Sequence, residues 1–462
     1  MRHKRDNVLC FEWSREDAST LKIVRMRREK YKRISAMLDE NPLILDLCAQ
    51  DLKALSLGGR LARRGGKGRS AVYTAENLQR ALLVHTVEGL DLRSTVILIS
   101  ECPFLQDFLR LGNRPVMDFS FLDKAFKAVR PQTWKRINEA LCGYARQEKR
   151  MDPTAIRVDT TVTETTIHYP TDSSLLWDSW RVLARLLREG RASMPQGCEH
   201  RFHDRLVKRA YHRIVRYGKS GAPSRKRLVK RCGAELIGHV RWIAEIAEEF
   251  CARSRATWDW TALSVAEELG GFLRSVRVVI STAERANLLG ETVPASERVF
   301  SRFEPHTELI RRGKSFKPVE FGHVVMLAQT KEKFISDYET MRHRIPDPYL
   351  TASIVTEHER LFGGPPKALT GDHGFNPEPS TRAALEEKVE TLAIPRRLSD
   401  WAEVLGSTWQ RFRAGIEGSI SVLKRAFRLL RCPYRGFSSF AASVGLSIFC
   451  HNLVLLARPP GK

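Results

Sequence analysis

The sequence predicts an α/β protein with a mixed five-stranded sheet and flanking helices. Two observations support this: short runs of β-branched and apolar residues alternate as in strands, and longer segments carry apolar residues at helical spacing. The strand-like runs lie at residues 156–162, 298–303, 319–328, 368–372 and 391–395. Because helical segments precede the first run and separate it from the second, we expect a helical N-terminal domain and a helical insertion in the sheet.

Residues 1–70 are predicted to form a basic arm and a linker rich in glycine and arginine. Residues 25–33 are a basic run, for which a solvated helix face and a DNA-contacting arm are equally good interpretations. Residues 58–69 have the composition of a flexible linker, and their charge suits them to follow a phosphate backbone.

Residues 71–150 are predicted to form a helical domain. Apolar residues such as Leu78 and Leu82 recur at helical spacing, and residues 89–94 break and restart the pattern. Two short helices joined by a tight turn fit either a helix-turn-helix that reads DNA or the core of a plain helical bundle. Both interpretations stay open at this point.

Residues 173–295 are predicted to be the helical insertion, and they contain the most basic stretch of the chain, at residues 201–231. In that stretch Asp204 is the only acid. Because like charges at helical spacing repel one another unless an anion neutralises them, we expect this stretch to contact a DNA backbone. The residues expected to bind DNA are Lys208, Arg209, Arg213, Arg216, Arg225, Lys226, Arg227 and Lys230. Three aromatic residues interleave them and either stack on bases or pack inward, namely Tyr211, His212 and Tyr217.

Three acids form the candidate catalytic set. Asp159 and Asp372 lie where strands are predicted to end. Glu417 lies on a predicted C-terminal helix, in one stripe with Arg413 and Lys424. A solvated helix face has the same pattern. Carboxylates on two strands and a helix are also able to converge on a pair of divalent cations, which prefer oxygen ligands.

The sequence blocks around these acids resemble those of the DDE transposases of bacterial insertion sequences, most closely the heterogeneous group called ISNCY. Residues 158–176 resemble the block that carries the family's first catalytic Asp, and residues 371–375 the block around the second. Residues 411–424 resemble the block that holds the catalytic Glu, which in many relatives reads Tyr-x2-Arg-x3-Glu-x6-Lys. Gln410 stands at the tyrosine position of that motif, and residues 431–436 also follow the family's pattern.

This resemblance implies a ribonuclease-H-like catalytic domain over residues 151–457. In that domain Asp159, Asp372 and Glu417 are implied to hold two Mg²⁺ ions, for which Mn²⁺ is able to substitute. Arg413 and Lys424 are implied to bind phosphates near the reacting bond.

The resemblance also implies the partners and the reaction. Residues 71–150 are implied to bind the terminal inverted repeats of a mobile element as double-stranded DNA. Water then frees a 3′-hydroxyl at the element end, and that hydroxyl attacks target DNA. Synapsis of two ends implies a homodimer, by analogy only.

The composition agrees with a nucleic-acid partner. Lys and Arg number 77 against 53 Asp and Glu, which gives a formal charge of +24 and an isoelectric point near 9.9. Such a chain attracts polyanions over long range, and DNA is the expected partner, with an anionic membrane surface as the competing one. We expect no membrane span, because no uninterrupted apolar run reaches the roughly 18 residues that a span needs.

We expect a cytoplasmic protein that uses no nucleotide. The cysteines are dispersed without a Cys-x-x-Cys pair, which is typical of reduced, buried thiols. The apolar run at residues 8–11 is too short for a signal-peptide core. No Walker A sequence and no Gly-x-Ser-x-Gly elbow is present, which argues against nucleotide-driven and serine-hydrolase chemistry.

Other polar residues have structural interpretations. Glu164 points to the opposite face of its strand from Asp159, and Asp172 follows a proline turn as a cap-like acid. His373 either fills the turn beside Asp372 or touches a scissile phosphate. Two other functions also compete with an active transposase. One is a decayed or domesticated copy that binds DNA without cutting it, and the other is a basic RNA-binding or nucleoid protein.

Overall fold

The computed structural model describes residues 4, 21–53, 55, 72–195, 199–311, 318–397 and 406–459. The glycine and arginine cluster at residues 58–69 lies outside the described residues. The chain forms two compact units. We call residues 1–166 with 322–462 the core unit, and residues 167–321 the insert unit.

Seven helices lie in the described part of the core unit before the first strand. They are α1 (Lys22–Glu40), α2 (Pro42–Lys53), α3 (Ala75–Val87), α4 (Leu92–Glu101), α5 (Pro103–Phe108), α6 (Phe119–Ala128) and α7 (Pro131–Gln147). Every residue of α3 from Ala75 to Thr86 is buried, so α3 is a core helix. Gly89 adopts a φ of +66° after α3, and the side chain of Asp91 caps the start of α4. The predicted break at residues 89–94 is therefore confirmed, while DNA binding by this region stays a prediction.

The described residues of the insert unit include four α-helices, which surround an apolar core of their own. They are α8 (Asp172–Ser193), α9 (Asp204–Tyr217), α10 (Pro223–Ser254) and α11 (Trp260–Asn287). Trp180 is fully buried in that core, and its ring stacks on Trp242 with centroids 6.2 Å apart. The helical character predicted for residues 173–295 is confirmed over these four ranges. The proposed domain boundaries stay predictions.

Among the described residues, seven strands form one mixed sheet. They are β1 (Ala155–Thr165), β2 (Glu308–Arg311), β3 (Val319–Thr330), β4 (Ile335–Thr340), β5 (Ala368–Thr370), β6 (Thr391–Ala393) and β7 (Arg431–Cys432). The order is β2-β3-β1-β5-β6, while β4 pairs with β3 and β7 with β1. β1 runs antiparallel to β3 and parallel to β5, and β5 runs parallel to β6. The predicted α/β class is therefore confirmed.

The predicted count of five strands is wrong. β2, β4 and β7 had no counterpart among the predicted strands, and the strand predicted at residues 298–303 does not form. Side chains hold that segment to helices of the insert unit instead. Arg298 pairs with Asp172 on α8 at 2.8 Å, and Arg302 donates to the carbonyl of Phe272 on α11 at 3.2 Å. Both arginines of the segment thus bind helices of the insert unit, and the segment does not pair with a strand.

The described C-terminal part of the core unit holds four further α-helices: α12 (Leu350–Phe362), α13 (Pro379–Lys388), α14 (Gly406–Ala426) and α15 (Phe437–Leu456). Among the described residues, α15 alone is long and apolar enough to cross a membrane, and 78% of its most apolar window is buried within the protein. Asn452 on α15 donates to the Ile335 carbonyl of β4 and to Asn138 of α7, each at 2.8 Å. These contacts make α15 a core helix.

Candidate active site and nucleic-acid interface

Two of the three predicted acids come from neighbouring parallel strands. The register between β1 and β5 pairs Ala155 with Ala368 and Arg157 with Thr370. Continued by two residues, this register sets Asp159 level with Asp372 in the turn that follows β5. Both side chains are half-buried. The parallel pairing therefore sets these two acids side by side. Asp372 follows the end of β5 as predicted, whereas the prediction that Asp159 lies at a strand end is wrong, because pairing with β3 continues β1 to Thr165.

Helix α14, which carries the third acid, lies against β1. Arg157 is two residues from Asp159 and shares its face of the strand. Its Nη1 donates to the carbonyl of Phe412 at 2.7 Å, and its guanidinium lies 5.0 Å from the centre of the Phe412 ring. A Cβ on Gly415 would meet Arg157 Nη1 at 2.0 Å, so this close approach requires glycine. Helix α14 thus covers the face of β1 that bears Asp159.

Asp372 has an oxygen without a partner. Its Oδ1 is buried and, among the described residues, accepts no hydrogen bond. Asp159 differs, because its Oδ1 accepts a hydrogen bond from the backbone N–H of Thr160 at 2.7 Å. Burying a carboxylate oxygen without a partner is costly, and a bound cation would remove that cost.

A fourth acid, which sequence reasoning missed, lies beside Asp372. Asp347 begins a 3-10 turn, Asp347–Tyr349, just before α12. A Cβ built on Gly374 would lie 3.0 Å from Asp372 Oδ1 and 3.5 Å from Asp347 Oδ2. Sequence spacing gives no reason to select Asp347, because an Asp-Pro pair before a helix is an ordinary helix start.

Glu417 does not form a closed cluster with the two aspartates in this structure. Its side chain is 61% exposed, and its Oε1 accepts a hydrogen bond from Arg413 Nη2 at 3.0 Å. The buried residues of α14 are Ile416, Ser419 and Leu423, so Glu417 lies off the packed side of the helix. Within the described ranges, no three carboxylate, imidazole or thiol groups come together closely enough to hold a metal ion. The three-acid metal site stays a prediction.

The aspartates nevertheless suit a hard divalent cation. Mg²⁺ and Mn²⁺ take oxygen ligands and keep several waters, so two or three carboxylates with substrate phosphates are enough to hold them. The Oδ1 of Asp372, which is buried and has no hydrogen-bond partner among the described residues, is available as such an oxygen ligand. Arg413 and Lys424, the two predicted phosphate-binding residues of α14, are half-buried on the same helix as Glu417.

No protein-family model, curated protein or solved structure matches this chain. Its function is therefore inferred from its own residues.

Two other acids, Glu164 in the core unit and Asp172 in the insert unit, have structural partners, in agreement with the sequence-based interpretation. Glu164 accepts a hydrogen bond from Arg431 at 2.8 Å. Asp172 is the first residue of α8 and pairs with Arg298. The Nδ1 of His373 lies 3.2 Å from the carbonyl oxygen of Pro395, which fixes the orientation of the ring in the turn after β5.

The predicted DNA-binding surface is exposed. All eight of its residues are solvent-exposed on α9 and the first turns of α10: Lys208, Arg209, Arg213, Arg216, Arg225, Lys226, Arg227 and Lys230. Within the part of the chain that the structure describes, none of the eight forms an ion pair. We call these eight residues the basic surface. Its charge is therefore uncompensated by neighbouring acids.

The aromatic residues among these cations divide into two groups. Tyr211 packs inward, where its ring stacks on Trp177 with centroids 5.8 Å apart. Tyr217 lies between Arg216 and Arg225, whose guanidinium carbons are 5.5 and 5.4 Å from its ring centre. His212 is exposed. The prediction left both orientations open, and the structure assigns the inward one to Tyr211.

Proposed function

We propose that this chain is a DNA transposase of the DDE type, with a ribonuclease-H-like catalytic domain and two-metal-ion phosphodiester chemistry. The observation that best supports this proposal is the parallel register of β1 and β5, which sets Asp159 level with Asp372. The buried Oδ1 of Asp372, which accepts no hydrogen bond within the described residues, adds the expectation of a cation.

The residues of the site have distinct roles in the proposed reaction. Asp159 in β1 and Asp372 in the turn after β5 would supply oxygen ligands to Mg²⁺. The bound ions would supply activation of the attacking oxygen and stabilisation of the leaving oxygen in an in-line displacement at phosphorus. Opening of the pair between Arg413 and Glu417 frees the carboxylate for the metal site and the guanidinium for a DNA phosphate.

The basic surface of the insert unit is proposed to bind the DNA backbone, because its eight cations have no acidic partners within the described residues. The proposal further includes a cytoplasmic, nucleoid-associated location and a homodimer that synapses two element ends.

A second candidate function is a DNA-binding protein that does not cut. Glu417 favours it, because this side chain is exposed and engaged by Arg413 instead of joining the two aspartates. In that case the basic surface would still bind DNA, while Asp159 and Asp372 would have no role in phosphodiester chemistry.

Incubation of the purified protein with Mg²⁺ and with DNA that spans the ends of its own mobile element separates these functions. We expect nicking at the repeat boundary that is lost in Asp159→Ala and retained in the control Glu387→Gln, an exposed acid on α13. Binding of the repeats without nicking would favour the non-cutting protein. Equal binding to all DNA and RNA would reject both functions in favour of a general nucleic-acid-binding protein.

A further inference from the structure

We propose that Asp347 is an additional metal-binding carboxylate of this site, adjacent to Asp372. This inference rests on the proposed function, because it pairs Asp347 with Asp372, one of the residues to which that function assigns a metal ion. Nothing in the spacing of the predicted acids points to Asp347, and only the folded chain brings it close to Asp372.

The position of Asp347 is defined from two sides. Its Oδ2 lies 3.5 Å from the hydroxyl oxygen of Thr160, the residue directly after Asp159 on β1. The same Oδ2 lies 3.5 Å from the point that a Cβ on Gly374 would occupy, and Asp372 Oδ1 lies 3.0 Å from that point. Asp347 thus stands beside β1, on the face that bears Thr160, and beside the turn that holds Asp372.

A hydrogen bond ties the turn of Asp347 to the turn of Asp372. The hydroxyl of Thr351, in the first turn of α12, donates to the carbonyl of Phe375 at 2.6 Å. Phe375 is fully buried and ends the 3-10 turn that starts at His373, immediately after Asp372. The two turns are therefore held together, which keeps their carboxylates on rigid supports.

Gly374 leaves the space between the two carboxylates open. Any larger residue would put a carbon 3.0 Å from Asp372 Oδ1, inside the volume that a cation and its waters need. Asp372 Oδ1 is buried and without a hydrogen-bond partner in the described residues, so the open space adjoins an oxygen that lacks a donor. Two carboxylates about one open space form an oxygen-rich setting that a hard divalent cation prefers.

Mn²⁺ binding to the full-length protein, followed by the paramagnetic resonance signal of free Mn²⁺, tests this inference without DNA or activity. We expect Asp347→Asn and Asp372→Asn each to weaken Mn²⁺ binding about tenfold or more, or to remove one bound ion. Gly374→Ala should also weaken it, because the methyl group fills the open space. The control Glu378→Gln, an exposed acid four residues further along, should bind Mn²⁺ as the wild type does.

Two results would overturn the inference: no Mn²⁺ binding by the wild type, or wild-type binding by Asp347→Asn alongside weakened binding by Asp372→Asn. Gly374→Ala keeps the test decisive if Asp347→Asn does not fold, because unchanged Mn²⁺ binding in that variant also rejects the site. Failure of the proposed function is distinct. Mn²⁺ binding that depends on Asp347, without nicking of element ends, rejects the transposase and leaves the metal site in place.

Discussion

At the scale of single residues, the contact between Gly415 and Arg157 links helix α14 to the sheet. Arg157 is buried in β1, donates to Gln329 Oε1 at 2.7 Å and to the Phe412 carbonyl, and leaves no room for a side chain on Gly415. A flexible arginine would normally move aside. Here movement would break two buried hydrogen bonds, which makes the glycine a requirement of the packing.

A matched pair of glycine substitutions on α14 tests this contact. Gly415→Ala should lower the free energy of unfolding by about 1–3 kcal/mol, because the new methyl group displaces Arg157 from buried partners. Gly418→Ala should instead raise it by about 0.5–1 kcal/mol, because no atom lies within 4 Å of the new Cβ and alanine favours the helix. Urea denaturation measures both. Equal effects of the two substitutions would contradict the proposed packing.

At the scale of elements, the hairpin of α9 and α10 carries its buried apolar side chains and its exposed cations on different sides. Val207 and Ala210 are buried on α9, whereas the basic surface occupies the exposed positions between and after them. Apolar periodicity and charge thus lie on different sides of one helix, as expected for a helix that is anchored on one side and binds a polyanion on the other.

Substitutions on this hairpin should change the salt dependence of DNA binding. Replacing both Arg213 and Arg216 with Ser should reduce the slope of log K against log salt concentration by about 2, if each arginine neutralises one phosphate. The control replaces Arg253 and Arg277, exposed arginines of the insert unit that already pair with Glu249 and Glu248. Fluorescence anisotropy over a salt series measures the slopes. Identical slopes in the two double variants would rule out the basic surface as the DNA contact.

At the scale of the whole molecule, the N-terminal helices and the C-terminal segments share one apolar core within the core unit. A buried hydrogen-bond network crosses this core. The Nε2 of His85 on α3 lies 2.9 Å from the hydroxyl of Tyr434 after β7, and its Nδ1 lies 3.2 Å from Thr95 Oγ1 on α4. The helices predicted as a separate domain therefore pack together with the C-terminal part of the chain.

The pKa of His85 makes the stability of the core unit depend on pH. Burial, aided by the nearby Arg428, lowers this pKa to about 3, so the folded chain keeps the imidazole neutral. The unfolded chain takes up a proton below about pH 6.5, so the stabilisation is complete above that pH and is lost as the pH falls toward 3. Between pH 7 and pH 5 the loss should be about 2 kcal/mol.

In His85→Gln, the part of the loss of unfolding free energy between pH 7 and pH 5 that comes from His85 should disappear. In the control His343→Gln, which replaces an exposed histidine, that loss should remain. Urea midpoints at pH 7 and pH 5 measure the difference. A pH dependence in His85→Gln as steep as that of the wild type would contradict the assignment. Burial also lowers the pKa of His451 to about 4, so part of the wild-type slope should persist in the variant.

Sequence pattern alone was enough to predict the α/β class, the helices α8 to α11 of the insert unit, and the placement of Asp159 on a strand and of Glu417 on a helix. These features follow from hydrophobic periodicity, which depends only on local spacing. A strand as short as β7 cannot be predicted in this way, because two residues are too few to show an alternating pattern. β4 escapes it because Asp337 and Glu339 are unusual in strands, and the former is buried there beside Lys135.

The meeting of distant side chains depends on the tertiary structure. The parallel register of β1 and β5 sets Asp159 level with Asp372, and the hydrogen bond from Thr351 to Phe375 holds the turn of Asp347 beside the turn of Asp372. Glu417 is exposed beside Arg413, and its meeting with the two aspartates stays a prediction. The physical reason is that register and turn packing are set by contacts between distant segments, about which local spacing holds no information.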